Sequence, residues 1–241
     1  MPRIQGMWHV RHYGADGALL DQERGHNIFH DEGEQSLAQL FSGEYTWPAS
    51  FYVGCDNRVG NSYAVAAVTT GTGGSFDVSG DVTTECTAGE PLRVVGSTGN
   101  NGVYTIASAS YDGSTYTTIT VEESVPDSTA DGTVDLFAVT EADTLAGLAG
   151  EPGGANGYAR QGCAVGTTDW TASQVDGDWQ AQTVTKTITA SGGSIGPLNT
   201  LFLCTSSDNT GRLFQTKVLR SEKTLNDGES LDVSLYTVMG E

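Results

Sequence analysis

Basic residues are scarce: the 241-residue chain carries 11 Lys and Arg against 30 Asp and Glu, a formal net charge of −19. Affinity for a phosphate backbone rests on Lys and Arg, so this balance excludes nucleic acid as an expected partner. An anionic membrane leaflet is an equally poor fit. No run of about 20 apolar residues is present, so no spanning helix is expected. The N-terminal "MPRIQGMWHV" lacks the apolar core of a signal peptide. The chain is therefore expected to be made in the cytoplasm and to stay soluble, with other proteins or free cations as partners. The four cysteines, Cys55, Cys86, Cys163 and Cys204, are scattered and form no CxxC pair. Neither a zinc ribbon nor a thioredoxin-like site is expected, and they read as small apolar strand residues. The sequence also has no GxSxG elbow, HExxH pair or GxxxxGK loop.

What is present is β-patterning, in a chain long enough to bury a sizeable core. In "QGMWHVRHY", Met7, His9, Arg11 and Tyr13 alternate with Trp8, Val10 and His12, as in a strand with two unlike faces. "GADG" follows as a turn. "HDEGEQSLAQLFSG" predicts a helix: Leu37, Leu40 and Phe41 share one face, Asp31 stands where a cap belongs, and Gly43 stands at the stop. Gly33 weakens the first turn. "SFYVGCDNRV" reads as a core strand. A second short helix is predicted in "TEADTLAGLAGEP", capped by Thr140, with Leu145 and Leu148 on one face and Pro152 ending it. Strands follow at 157–165, 179–190, 198–205, 212–219 and 230–239. In the last, Leu231, Val233, Leu235 and Met239 face one way.

Between these flanks the composition changes. Residues 69–137 hold ten acidic residues and a single basic one, Arg93, whereas the rest of the chain holds 20 and 10. Strands are expected at 75–78, 92–95, 103–109, 117–122 and 133–137, separated by turns such as "GNNG" and "YDGS". The expected fold is mainly β with two short helices. Residues 1–66 and 138–241 form a discontinuous base resembling a β-sandwich or barrel, and residues 67–137 form a small all-β domain inserted into it. Exposed loops tolerate such insertions.

Candidate chemistry is thin. His9 and His12 fall on opposite strand faces, and His26 and His30 precede the helix; exposed or edge histidines are the expectation, not a metal site. Asp169, Asp176 and Asp178 lie near Trp170 and Trp179, a pairing that can mark a glycoside site. Their turn positions favour local hydrogen bonding instead. "DNTG" and "NDGE" lack the ligand spacing of a calcium loop. No catalytic residue, metal or cofactor is expected.

Two sets of segments carry a resemblance. "GHNIFHDEGEQSLAQLFSGE", "FYVGCDNR", "EADTLAGLAGEPGGANGYARQ", "TLFLCTSSDNTGRLF" and "LNDGESLDVSLYTV" resemble, in that order, small structural proteins of tailed-bacteriophage virions. The stretch 76–134, "FDVSGDVTTECTAGEPLRVVGSTG…DGTV", resembles a mobile β-module embedded in many phage structural proteins. Cys55 stands where the first pattern has an aliphatic residue. The resemblance implies a non-enzymatic virion protein, made in the host cytoplasm. The leading expectation is a capsid decoration (cement) protein that binds the major capsid protein or other virion proteins as a homo-oligomer. A trimer would suit threefold positions of a shell. The alternative is a tail or neck component, fibre-associated or receptor-binding. Tyr158, Arg160 and Gln161 in "GYARQ" match the pattern and are candidate interface residues. Arg160 is also suited to an ion pair within its own subunit.

Overall fold

The structure, a computed structural model, describes residues 3–58, 60–137, 139–148, 150–175 and 178–240. In chain order its strands are β1 (Arg3–Tyr13), β2 (Leu19–His26), β3 (Ile28–Phe29), β4 (Ser50–Asp56), β5 (Asn61–Thr69), β6 (Gly71–Thr72), β7 (Ser75–Ser79), β8 (Pro91–Val95), β9 (Gly102–Tyr111), β10 (Tyr116–Val121), β11 (Ser124–Val125), β12 (Thr133–Leu136), β13 (Gln161–Ala164), β14 (Trp170–Val175), β15 (Asp178–Thr183), β16 (Lys186–Thr189), β17 (Ile195–Cys204), β18 (Leu213–Leu225) and β19 (Ser230–Gly240). Helix α1 (Asp31–Ser42) lies between β3 and β4. The chain is mainly β and divides into two compact units. One, the flank unit, comprises residues 1–57, 140–217 and 222–241; the other, the barrel unit, comprises 58–139 with 218–221.

The flank unit contains two antiparallel sheets. The first runs β14-β15-β19-β1-β2, with β16 also paired to β19. Its centre is the pairing of β1 with β19, from Arg3↔Gly240 to Tyr13↔Ser230. Alternation sends Trp8 and Val10 inward from β1 and Leu231, Val233 and Leu235 inward from β19. The second sheet runs β13-β4-β17-β18-β3. Its β18 meets β2 of the first sheet through ions: Lys217 lies 3.8 Å from Glu23, each side chain 4% exposed, and Lys223 pairs with Asp21. Removing one member of such a pair would strand a buried charge. Helix α1 packs its small face down, with Gly33 and Ser36 buried. A Cβ at Gly33 would stand 3.0 Å from the Phe214 carbonyl oxygen, so glycine sets how closely the helix approaches β18.

The barrel unit is a closed barrel in the order β10-β7-β5-β12-β8-β9, all pairs antiparallel. Closure leaves no free strand edge. Its interior is filled by pairs two residues apart: Phe76 and Val78, Leu92 and Val94, Tyr104 and Ile106, Ile119 and Val121, Val134 and Leu136. Outside this core, Arg93 on β8 stands opposite Asp135 on β12. Its Nε and Nη2 donate to Asp135 Oδ2 at 3.0 and 2.9 Å, and its guanidinium stacks 4.7 Å from the Phe137 ring. Ser62 donates to the other Asp135 oxygen at 2.5 Å.

Several expectations need correction. The second helix is absent: "TEADTLAG" forms an Asp143–Thr140 turn and a single 3-10 turn, Leu145–Gly147, capped by Thr144. Asp143 and Thr140 bond each other's backbone and side chain, and Gly147 and Gly150 flank Leu148, a composition that favours turns. The N-cap of α1 is His30, not Asp31, which is the first helical residue. The boundary expected at 66/67 falls inside β5, which bonds both β12 and β7; the units part at Asn57. Ala138, the expected restart of the base, lies outside the described residues.

Two outcomes are expected from this geometry. A fragment of residues 58–139 should unfold cooperatively with β-type circular dichroism, whereas one of residues 69–137, lacking β5, should not fold. Equal folding of both would contradict the role given to β5. Secondly, Arg93→Met should destabilise the protein by about 3–5 kcal/mol in denaturant unfolding, because Asp135 is left buried without its cation. Arg93→Met combined with Asp135→Leu should recover most of that loss. A single substitution that leaves the midpoint unmoved would contradict the pairing.

Candidate functional site

The residues singled out in "GYARQ" form an internal clamp. Tyr158 and the Arg160 side chain are 6% and 4% exposed. The Tyr158 hydroxyl accepts from the Cys55 N–H at 3.1 Å and donates to Glu151 Oε1 at 2.7 Å. Arg160 grips the same carboxylate from Nε at 2.8 Å and Nη2 at 2.6 Å. Its Nη1 donates to the Ser206 carbonyl at 3.0 Å and to the Asp208 carbonyl, and the guanidinium lies 5.1 Å from the Phe202 ring centroid. The clamp therefore ties three pieces of the flank unit together: β4, the 151–160 connection and the 205–210 turn. Gln161, half-buried, donates to the Ala159 carbonyl at 2.8 Å. Of the three, Tyr158 and Arg160 are brought together by Glu151, and their polar groups are directed inward.

The other candidates also resolve into local roles. Asp169 accepts from the Ala164 N–H at 2.7 Å and from Lys186 Nζ at 2.9 Å; the ammonium first, then the amide, hold its carboxyl below the usual range. A carboxyl held ionised in this way is a turn staple, unsuited to general-acid work at neutral pH. Asp176 lies outside the described residues, as do the side chains of Asp178, His26 and Met239. His30, expected at an exposed or edge position, is fully buried. Its ring bonds the Thr140 carbonyl at 2.9 Å and Thr216 Oγ1 at 2.7 Å, joining α1 to β18. Burial pushes the Cys163 and Cys204 thiols up to about 11, so neither is a thiolate at neutral pH. Among the described residues no group of three or more His, Cys, Asp or Glu gathers as a metal site would need.

The feature that sequence reasoning missed is a cavity of about 400 Å³ in the flank unit. Both sheets and helix α1 contribute to its walls: Phe29 from β3, Phe51 from β4, Phe214 and Gln215 from β18, Trp170 from β14 and Leu37 from α1, with Trp47 from the connection after α1. The rings pack edge to face: Phe51 and Phe214 are 5.0 Å apart at 78°, and Phe51 and Trp47 5.4 Å apart at 65°. Trp170 joins them 6.1 Å from Phe51. Val165, Gly166 and Thr167, all exposed, form its outer edge. Among the described residues, no charged one is part of the wall. The lining residues Trp170 and Gln215 each carry a polar atom, Nε1 and Oε1, that is buried out of water's reach without a hydrogen-bond partner. The only sequence signal was aromatic residues beside turns, "NIF", "TWP" and "TDW", which are far apart along the chain.

The chain matches no family model, no curated protein and no solved structure.

The clamp's turn gives a pH prediction. Asp208 accepts from Thr210 Oγ1, from Ser206 Oγ at 2.7 Å and from the Thr210 N–H at 2.9 Å; these bonds, the Thr210 hydroxyl first, hold its carboxyl down to about 2. Its unfolded value is near 3.8, so the carboxylate favours the folded turn above that pH. The contribution fades as pH falls from about 4 and is gone below the folded value of about 2. Carboxyl carbon NMR should find Asp208 titrating near 2, with amide protection in 206–210 lost over the same window. A midpoint at the ordinary aspartate value would contradict the turn geometry.

Proposed function

We propose that this chain is a non-enzymatic bacteriophage virion structural protein, a decoration protein that binds the major capsid protein in the assembled shell. The reading rests on the ordered resemblance of the flank segments to virion proteins and of the middle stretch to a phage β-module. In this reading the flank unit is a discontinuous docking base and the barrel unit is the inserted module, carried towards solvent. The observation that carries docking through the base is where apolar surface is left uncovered. Among the described residues, the exposed large apolar side chains are Leu19, Leu20, Phe41, Val165, Trp179 and Val184 in the flank unit, against Tyr116 alone in the barrel unit. Phe41, on α1, is 88% exposed. Exposed apolar groups of this kind mark contact surfaces when they cluster. The barrel instead offers acids: Asp81, Asp112, Glu122 and Glu123 are exposed, while its Arg93 is taken up by Asp135.

Function here is differential binding. A ligand of the assembled shell that binds free subunits less well stabilises the shell by mass action. A homo-oligomer, a trimer at threefold positions, would match the symmetry of such a shell.

Two linked outcomes are expected on virions. A variant with Asn57 joined to Thr140 through a short Gly linker should still attach. Attachment should also survive high sodium chloride, because apolar burial is not screened, whereas exposed charges are screened beyond about 8 Å at physiological ionic strength. Release of the intact protein by moderate salt would contradict docking through apolar surface and point to the acids as an electrostatic clamp. Loss of attachment in a folded excision variant would make the barrel the docking element.

A further inference from the structure

We propose that the cavity of the flank unit receives Phe41 of a second copy of this chain, in a two-fold dimer that places each copy's Phe41 in the other's cavity. The proposal does not rest on the virion reading, because it concerns the protein free in solution.

A knob and a hole lie side by side. Among the described residues Phe41 is the most exposed large apolar side chain, at 88%. The hole is the cavity of about 400 Å³, walled by Phe29, Trp47, Phe51, Trp170 and Phe214. A dry apolar cavity of about 150 Å³ accepts one benzene ring, so a Phe side chain enters this one with its stem. The wall rings already pack edge to face, and a further ring extends that packing. Among the described residues the wall carries no charge, so an apolar side chain suits it and an ionised one does not.

The helix sets the distance between them. Leu37 is part of the wall, and Phe41 stands four residues further along α1. Residues so spaced are neighbours on a helix, with Cβ atoms about 5–6 Å apart. The knob therefore stands at the edge of the hole. A surface that carries both a projection and a recess for it is self-complementary: a two-fold rotation sets each knob over the other copy's hole. Ala38, exposed one turn before Ser42, is small enough to let two helices approach closely.

Area decides between a two-fold and a head-to-tail ring. One inserted Phe ring and the wall that it covers remove roughly 300–500 Å² from water. A specific interface needs about 1,000 Å². A ring-shaped assembly has one insertion per interface and falls well short. Two reciprocal insertions give about 600–1,000 Å², to which the cavity edge at Val165, 44% exposed, adds. An interface of that size makes a weak, reversible dimer, forming at about 0.1–1 mM. Charge opposes it: Asp31 and Glu34 on α1, and Glu44 just after it, are exposed acids that the two-fold brings towards their own copies. Salt should therefore strengthen the dimer by screening them.

The test is sedimentation equilibrium of the intact protein from about 10 µM to 1 mM, at low and high sodium chloride. The expected result is a monomer–dimer equilibrium in the upper part of that range, shifted towards dimer by salt. Phe41→Ser, at a residue already in water, should weaken association at least about tenfold, because the symmetry removes both knobs at once. Ala172→Arg, at an exposed position of the wall, should do the same with Phe41 intact, by filling the recess. In a mixture of isotope-labelled and unlabelled protein, filtered NOEs should connect the Phe41 ring of one copy with the Phe51 ring and Val165 methyls of the other. A monomer at every concentration would overturn the proposal, as would a trimer. So would a dimer that either substitution leaves within about twofold of the parent, one that salt dissociates, or one whose NOEs from Phe41 reach no wall residue.

Discussion

The pairing of the first strand with the last is the constraint on which the flank unit depends. β1 and β19 run antiparallel over their full length, and β2, β15 and β16 attach to one or the other. The chain must therefore leave this sheet after β2 and return to its centre at the C-terminal end. Everything between is an excursion that has to close. Loop-closure entropy grows only logarithmically with length, so lengthening the excursion by residues 58–139 adds little to that term. The barrel in turn repays its own ordering through a separate apolar core.

The barrel core was legible because alternation is a local signal. Five of its strands show apolar residues two apart, and each falls where the pattern puts it. β5 was not legible. "NSYAVAAVT" is rich in alanine, and the register slips between Val65 and Ala67, so period-2 counting breaks mid-strand. The second helix failed for the opposite reason. Leu145 and Leu148 do pack together with Phe202 and Leu213, as the spacing suggested, but a 3-10 turn and an extended residue suffice to place them. The helical apolar stripe was also misread in part: Leu37 reaches the cavity wall, while Phe41 points to solvent and Gly33 and Ser36 occupy the buried face.

Site-level features divide the same way. Local turn staples such as Asp112, which accepts from three successive backbone N–H groups, follow from sequence alone. The Glu151–Arg160 pair is close in sequence, but the Ser206 and Asp208 carbonyls it also holds come from a distant turn. The aromatic cavity was invisible for a related reason. Its rings come from β3, β4, β14, β18 and the connection after α1, and only the order of strands in two sheets brings them together. His30 was taken for a surface residue because nothing near it in sequence names Thr140 and Thr216 as its partners.

The functional account joins these parts: a base closed by its own termini, apolar residues exposed on that base, and an acidic barrel whose core needs no partner. Its central claim is that the protein sits on the shell of a virion, held by the base. The direct measurement is electron microscopy of virions labelled with a gold-conjugated antibody raised against the barrel unit. The account predicts label distributed over the whole capsid surface, at hundreds of copies as shell symmetry implies. Label confined to the tail or neck would contradict it.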